Sequence, residues 1–290
     1  MMISKVVAMR IVYIYCITIK TFKMKKIVSL LSCQKRKVIL TGATGYLGKE
    51  ISKILASIGF DLVLVDLNYE NLNKLSLEIK NEFDVEVKLY CCNLEKEAER
   101  NELIKSIKKD FSEINCLINN AAFVGTTDLD GWNVPFEEQN LSSWRKAFEV
   151  NLTAPFHLSQ AISEIMINAQ NPNIINVGSI YGHYGPDWNL YKDTEINNIA
   201  AYSASKGGLI QLTKWLSTTL SPKIRVNAIS PGGIFRGQNQ LFVDRYSSKV
   251  PLKRMANEDD FLGGFVFLAS DMSLYVTGQI LKIDGGWGLS

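Results

Sequence analysis

From Lys37 onward, short apolar runs alternate with amphipathic stretches. Val38-Ile39-Leu40 is a run of β-prone apolar residues with no polar alternation, so it reads as a strand buried on both faces. It runs into a glycine-rich stretch, Thr41 to Gly48, and then a helix to about Ile58. Asp61 to Asp66 predicts a second strand, Glu70 to Asn81 a helix and Val85 to Cys91 a third strand. The charged segment Glu95 to Lys109 reads as a solvated helix, followed by a strand at Ile114 to Ile118. Ser142 or Ser143 is the expected N-cap of a long helix reaching about Asn168. Ile174 to Val177, Ile224 to Ile229 and Ile280 to Ile283 complete the strands. Helices are expected at Ala201 to Leu220 and from an N-cap at Asn257 to about Ser270. Seven apolar strands separated by helices predict an α/β, single-domain Rossmann fold. Its sheet would be seven-stranded, parallel and doubly wound, with helices on both faces.

The stretch before Lys37 breaks the pattern. It is basic and apolar, with runs such as Ile11 to Tyr15, and lysines at 20, 23, 25 and 26 interrupt it. No apolar run approaches the roughly 18 residues of a membrane span. We expect residues 1–34 to be an N-terminal extension, disordered or the product of a mis-set start codon with Met24 as the natural start. Residues 35–290 form the expected catalytic domain.

Composition narrows the function by exclusion. The chain has 290 residues, 47% apolar and 21% charged, with a net charge of +3, so nothing points to nucleic acid or an anionic membrane as partner. Two histidines, His157 and His183, leave little room for a His-based metal site or a Ser-His-Asp triad. The five cysteines have no metal-ligand spacing and read as reduced core residues of a cytoplasmic protein, with no metal expected. Adjacent Cys91 and Cys92 point to opposite faces of a strand and cannot chelate together.

Two stretches carry chemistry. Gly42, Gly45 and Gly48, together with Thr44, Tyr46 and Leu47, lie between the first strand and the first helix. Glycines there permit a tight turn and close approach of a pyrophosphate, and the helix N-terminus offers free N–H groups to it. Asp66 ends the second strand, where a carboxylate accepts hydrogen bonds from ribose hydroxyls and repels a 2′-phosphate. Leu67 and Asn68 supply no cation for such a phosphate, so NAD is favoured over NADP. At the other end, Tyr202 and Lys206 share one helix face at i and i+4. A phenol near a cation can exchange a substrate proton while hydride moves. Ser179, after the fifth strand, and Asn119-Asn120-Ala121-Ala122, after the fourth, reach the same carboxyl edge of the sheet.

These motifs, in this order over about Lys37 to Trp287, resemble the classical short-chain dehydrogenases/reductases. The resemblance implies that Tyr202 is the acid/base and that Lys206 holds the nicotinamide ribose and lowers the Tyr202 pKa. Ser179 would orient substrate, and Asn151 would hold a relay water. Asn93, Leu94, Asn119 and Ala121 would line the adenosine side, with Pro231, Gly232 and Ile234 on the nicotinamide side. Three departures stand out: the glycine spacing is that of the extended branch, Asn93 stands for a frequent Asp, and Arg236 stands for a frequent Thr.

The segment Tyr181 to Ala201 is longer than usual and carries His183, Tyr184, Trp188, Tyr191 and Lys192, groups suited to a sugar. Arg236, Arg245 or Lys192 would meet a phosphate. With Pro-Gly-Gly-Ile-Phe, this is similar to the branch serving flagellin modification and surface glycans. It implies a sugar, sugar-phosphate or nucleotide-sugar substrate. The alternatives are a 3-oxoacyl-thioester reductase and a non-catalytic dinucleotide-binding sensor. Family members commonly form homotetramers, so a homotetramer or homodimer is expected through the two long helices, with Phe148, Leu152, Trp215 and Leu216 on their outer faces.

Overall fold

The computed structural model describes residues 24–125 and 127–289. A seven-stranded, all-parallel sheet runs in the order β3-β2-β1-β4-β5-β6-β7. Its strands are β1 (Lys37–Thr41), β2 (Asp61–Asp66), β3 (Val87–Cys91), β4 (Cys116–Asn119), β5 (Asn173–Val177), β6 (Arg225–Pro231) and β7 (Ile280–Ile283). The helices are α1 (Tyr46–Ser57), α2 (Tyr69–Glu82), α3 (Glu97–Asp110), α4 (Leu141–Phe148), α5 (Ala154–Met166), α6 (Ala200–Thr219), α7 (Gln240–Lys249) and α8 (Asp259–Ala269).

The uninterrupted apolar strands follow from burial on both faces. Val38, Leu40, Leu62 and Leu64 pack with Ile51, Leu55, Phe261 and Phe265 of α1 and α8. Their neighbours Ile39, Val63 and Val65 turn the other way, against Ile107, Leu158, Ile162 and Leu216 of α3, α5 and α6. Successive side chains of a strand alternate in direction, so a sheet clad twice needs apolar residues at every position. Parallel β1 and β4 pair Leu40 with Ile118, and the chain leaves them toward opposite edges of the sheet. That switch point leaves a crevice at the carboxyl edge.

Several expectations need correction. The long helix is capped by Asn140, whose side chain accepts from Ser143 N–H at 2.9 Å, not by Ser142 or Ser143. It is also interrupted by a π turn, Glu149–Thr153, before α5. The α3 segment is not solvated throughout: Arg100, Leu103, Ile104 and Ile107 form a buried face. Helix α7, absent from the sequence reading, packs over the carboxyl edge. The N-cap position of α8 falls at Glu258, one residue after the expected Asn257, which accepts from Asp260 N–H at 3.2 Å while the Asp260 carboxylate accepts from Asn257 N–H at 2.9 Å. Of the cysteines, Cys33, Cys92 and Cys116 are buried but Cys91 is exposed, because β3 is an edge strand.

Of the expected N-terminal extension, residues 1–34, the structure describes residues 24–34. Residues 24–31 are helical, and Cys33 is sealed in the core with its N–H on the Ile58 carbonyl at 2.8 Å. The rest of that expectation, including Cys16, lies outside the described residues. No helix among the described residues is long and apolar enough to cross a membrane.

Candidate active site

A cleft of about 900 Å³ runs along the carboxyl edge from Asp66 and Asn93, past the glycine loop, to Ser179, Tyr202 and Lys206. The loop's shape rests on two glycines. Gly42 has φ +65°, and a Cβ on Gly48 would sit 2.1 Å from the Gly42 carbonyl oxygen. Only hydrogen at position 48 lets α1 start hard against the turn, so its first N–H groups face the crevice. The loop is tied down from β4, where the Asn120 amide donates to the Thr41 and Gly42 carbonyls, each at 3.0 Å.

Asp66 is held rather than loose. Its Oδ2 accepts from Thr44 N–H at 2.7 Å and from the Thr44 hydroxyl at 2.8 Å, and its Oδ1 accepts from Leu67 N–H at 2.7 Å. A carboxylate has about four acceptor sites, so one remains on Oδ1 for a ribose hydroxyl. Beside it, the side chain of Asn93 accepts from Glu95 N–H at 3.0 Å. Buried Arg100 donates to the Leu94 carbonyl at 2.6 Å and so fixes this adenosine-side loop.

At the reacting end, Tyr202 and Lys206 rise from α6 beside Ser179, which follows β5. Tyr202 is half-buried, and burial raises its pKa; a hydrogen bond from Ser179 and the positive charge of Arg236 act to lower it. The Lys206 Nζ is turned to the Val177 carbonyl at 2.6 Å and lies 5.8 Å from the Tyr202 ring centroid. Burial depresses the Lys206 pKa to about 7. An ammonium has three donors, and this one has a single acceptor among the described residues. The site therefore suits a ligand bringing hydroxyl acceptors, and ribose is such a ligand.

That depressed pKa has a consequence for stability. The unfolded chain carries this lysine near 10.5, so from about pH 7 upward it binds more protons than the folded chain. Stability therefore gains from this residue as pH rises through that window, and the full cost of the buried charge is present below it. Urea unfolding of the ligand-free protein should show wild type gaining on Lys206→Met between pH ~7 and ~8.5. A difference between the two that does not change with pH would contradict the burial argument.

The other expected residues divide. Gly45, Tyr46, Leu47, Asn93, Leu94, Ala121, Pro231, Gly232 and Ile234 line the cleft. Asn119 and Asn151 do not. Asn119 lies beneath the cleft floor, its amide donating to the Asn176 side-chain oxygen at 2.8 Å. Asn151 is fully buried in the π turn, accepting from Phe123 N–H at 2.8 Å and donating to the Ser205 hydroxyl at 3.1 Å. Both lie one layer back because strand and helix geometry turn them into the core.

The long segment after Ser179 folds over α7 and is fastened there. Lys249 meets Asp187 at 2.6 Å, and Arg245 reaches the Lys192 carbonyl and Asp193. Lys192, Arg245, His183, Tyr184 and Trp188 are thus not cleft residues; Tyr191 and Arg236 are. His183 instead pairs with the Ser230 hydroxyl at 3.1 Å. Sequence reasoning missed Asn120, Tyr181, Asn198, Gln238 and Tyr246, which all line the cleft. Asn120 had a signal, its place in the Asn-Asn-Ala-Ala motif. Tyr246 had none without α7.

The fold, the switch-point cleft and the Ser-Tyr-Lys cluster together define a dinucleotide-dependent oxidoreductase. The comparisons agree. A family described as enoyl-(acyl carrier protein) reductase matches residues 42–288. The chain is 31% identical to the post-translational flagellin modification protein A of Campylobacter coli over 258 residues, 88% of this chain and 99% of that one. It is 33% identical to the 2-dehydro-3-deoxy-D-gluconate 5-dehydrogenase of Pseudoalteromonas atlantica over 269 residues, 88% and 97% of the two chains. Among solved structures it resembles a short-chain dehydrogenase from Leptospira borgpetersenii with bound NAD+, at TM-score 0.74 and 31% identity, covering 88% and 94%. It also resembles the NADPH-dependent 3-quinuclidinone reductase of Rhodotorula rubra, at TM-score 0.77 and 25% identity, covering 91% and 95%. The chain belongs to the short-chain dehydrogenase/reductase family.

Proposed function

We propose that this protein uses NAD(H) to interconvert a secondary alcohol and a ketone on a sugar, sugar phosphate or nucleotide sugar. The setting would be surface-glycan or flagellin modification in the cytoplasm. The observation that carries the reaction is the convergence of Ser179, Tyr202 and Lys206 at one end of a cleft whose other end holds Asp66. When bound, the nicotinamide supplies a hydride acceptor or donor. In oxidation, Tyr202 takes the hydroxyl proton as the carbinol C–H bond breaks and the C=O bond forms. Ser179 holds the substrate oxygen, and its hydrogen bond favours the phenolate. Lys206 meets the ribose, and Asn151 orders the back of the site where a relay water would stand.

The sugar reading is supported by the polar residues lining the cleft, Tyr181, Tyr191, Asn197 and Asn198, whose phenols and amides form a network with one another and with neighbouring groups. The likeness to a flagellin modification protein and a sugar-acid dehydrogenase points the same way. A 3-oxoacyl-thioester reductase is the second reading, favoured by the likeness to the 3-oxoacyl-(acyl-carrier-protein) reductase of Thermotoga maritima. A screen of sugar phosphates, nucleotide sugars and a 3-oxoacyl thioester, followed by nicotinamide absorbance, separates them. Turnover of the thioester alone would overturn the sugar reading.

NAD preference rests on Asp66. Asp66→Ala should lower the ratio of NADPH to NADH dissociation constants by roughly 10- to 100-fold, since a carboxylate facing a 2′-phosphate is a like-charge contact. Fluorescence titration measures both constants, and an unchanged ratio would remove Asp66 from the ribose site. For assembly we propose a homotetramer or homodimer through α4–α5 and α6. Trp144, Phe156 and Trp215 are exposed on these helices. Leu216, expected beside them, is buried in the core at 3% exposure, because it faces β6.

A further inference from the structure

Two of the family departures in the sequence, at the glycine loop and at Arg236, are in contact in the fold. Tyr46 is the first residue of α1, at the head of the glycine loop, and its ring is largely exposed. The Arg236 guanidinium, from the loop after β6, lies 4.7 Å from the centroid of that ring. Arg236 Nε is held by Glu258 Oε1 at 3.2 Å, and the backbone N–H of Arg236 is held by the Gln238 side chain at 2.7 Å. Both Tyr46 and Arg236 line the cleft. The guanidinium is therefore oriented from two sides, by the Tyr46 ring and by Glu258, while Gln238 holds the backbone, and its two terminal nitrogens have no hydrogen-bond partner among the described residues.

From these contacts we infer that Arg236, steered by the Tyr46 ring, binds the pyrophosphate of the dinucleotide beside the α1 N-terminus. The inference rests on the dinucleotide reading above and adds a residue to it. A pyrophosphate at a helix N-terminus carries two negative charges that the helix end only partly offsets. A planar guanidinium presents paired N–H donors matched to phosphate oxygens. Stacking on an aromatic face limits the side chain to the plane that reaches the loop, and so reduces the entropy lost on binding. Glu258 on Nε sets the orientation and leaves the outer fork available. The tyrosine at position 46 and the arginine at position 236 thus work as one device, with Tyr46 as a positioning residue.

The test is competition against NADH fluorescence by ADP-ribose, ADP and AMP, using wild type, Arg236→Gln, Tyr46→Gly and the double variant. Arg236→Gln should weaken NADH, ADP-ribose and ADP by about 10- to 100-fold and leave AMP, which has no pyrophosphate, within about twofold. The salt dependence of ADP-ribose binding should flatten with it, since a charge contact has gone. Tyr46→Gly should show a smaller loss of the same pattern, and the double variant should be no worse than Arg236→Gln. Circular dichroism confirms that each variant is folded. If Arg236→Gln weakens AMP equally, or leaves ADP-ribose unchanged, the inference is wrong. If wild type binds no NADH at all, the dinucleotide reading has failed instead.

Discussion

Tyr202→Phe should reduce turnover by about 10²- to 10⁴-fold while the protein still binds NADH with nearly wild-type affinity. The substitution removes one oxygen and keeps the ring, so the wall of the cleft beside Ser179 is preserved. What is lost is the proton donor and acceptor at the reacting oxygen. The hydroxyl stands where burial opposes its ionisation and where Ser179 and Arg236 favour it. The pH dependence of turnover in wild type should therefore contain an ionisation that Tyr202→Phe lacks. Steady-state kinetics with the substrate found by screening, paired with NADH titration, measures both quantities. Retained turnover, or a parallel loss of NADH binding, would take the acid/base role away from Tyr202.

The second large effect is expected at Gly48. An alanine there places its Cβ 2.1 Å from the Gly42 carbonyl oxygen and 3.0 Å from the Ala43 backbone. Neither neighbour is a flexible side-chain end, so the turn itself must move. Displacing the loop takes the α1 N–H groups away from the pyrophosphate, and each charge-assisted hydrogen bond lost is worth ~1.5–3 kcal/mol. Gly48→Ala should thus weaken NADH by roughly 100-fold or more, and overpacking of this kind also costs about 1–3 kcal/mol of stability. Titration and thermal unfolding read the two effects. Gly45→Ala is the control for the stability readout, because the nearest protein atom to its added Cβ is at 3.4 Å, an ordinary contact. Equal losses of stability at both positions would mean that the helix–turn approach is not what shapes the loop.

The strands were legible because a sheet buried on both faces writes itself as continuous apolar runs, and both the glycine loop and Asp66 sit at fixed places relative to them. The pairing of Tyr202 with Lys206 was legible because four residues is one helical turn. Depth was not legible. Asn119 read as a wall residue and Asn151 as the holder of a relay water, and both lie one layer behind the cleft, since a motif states sequence position and not which way a side chain turns. The partners of Arg245 and Lys192 were also hidden, because they lie across a long segment whose path over α7 has no periodic signal. Arg100 looked like one charge of a solvated helix. Its burial depends on the Leu94 carbonyl and Glu149, which only the tertiary fold brings to it. The contact between Tyr46 and Arg236, 190 residues apart, is of the same kind.

The central claim is that this cleft binds a nicotinamide dinucleotide with Asp66 at its ribose end. Fluorescence titration of the purified wild-type protein with NADH and with NADPH tests it most directly. The account predicts saturable binding of NADH and much weaker binding of NADPH. Binding of NADPH alone would contradict the role of Asp66, and binding of neither would contradict the claim itself.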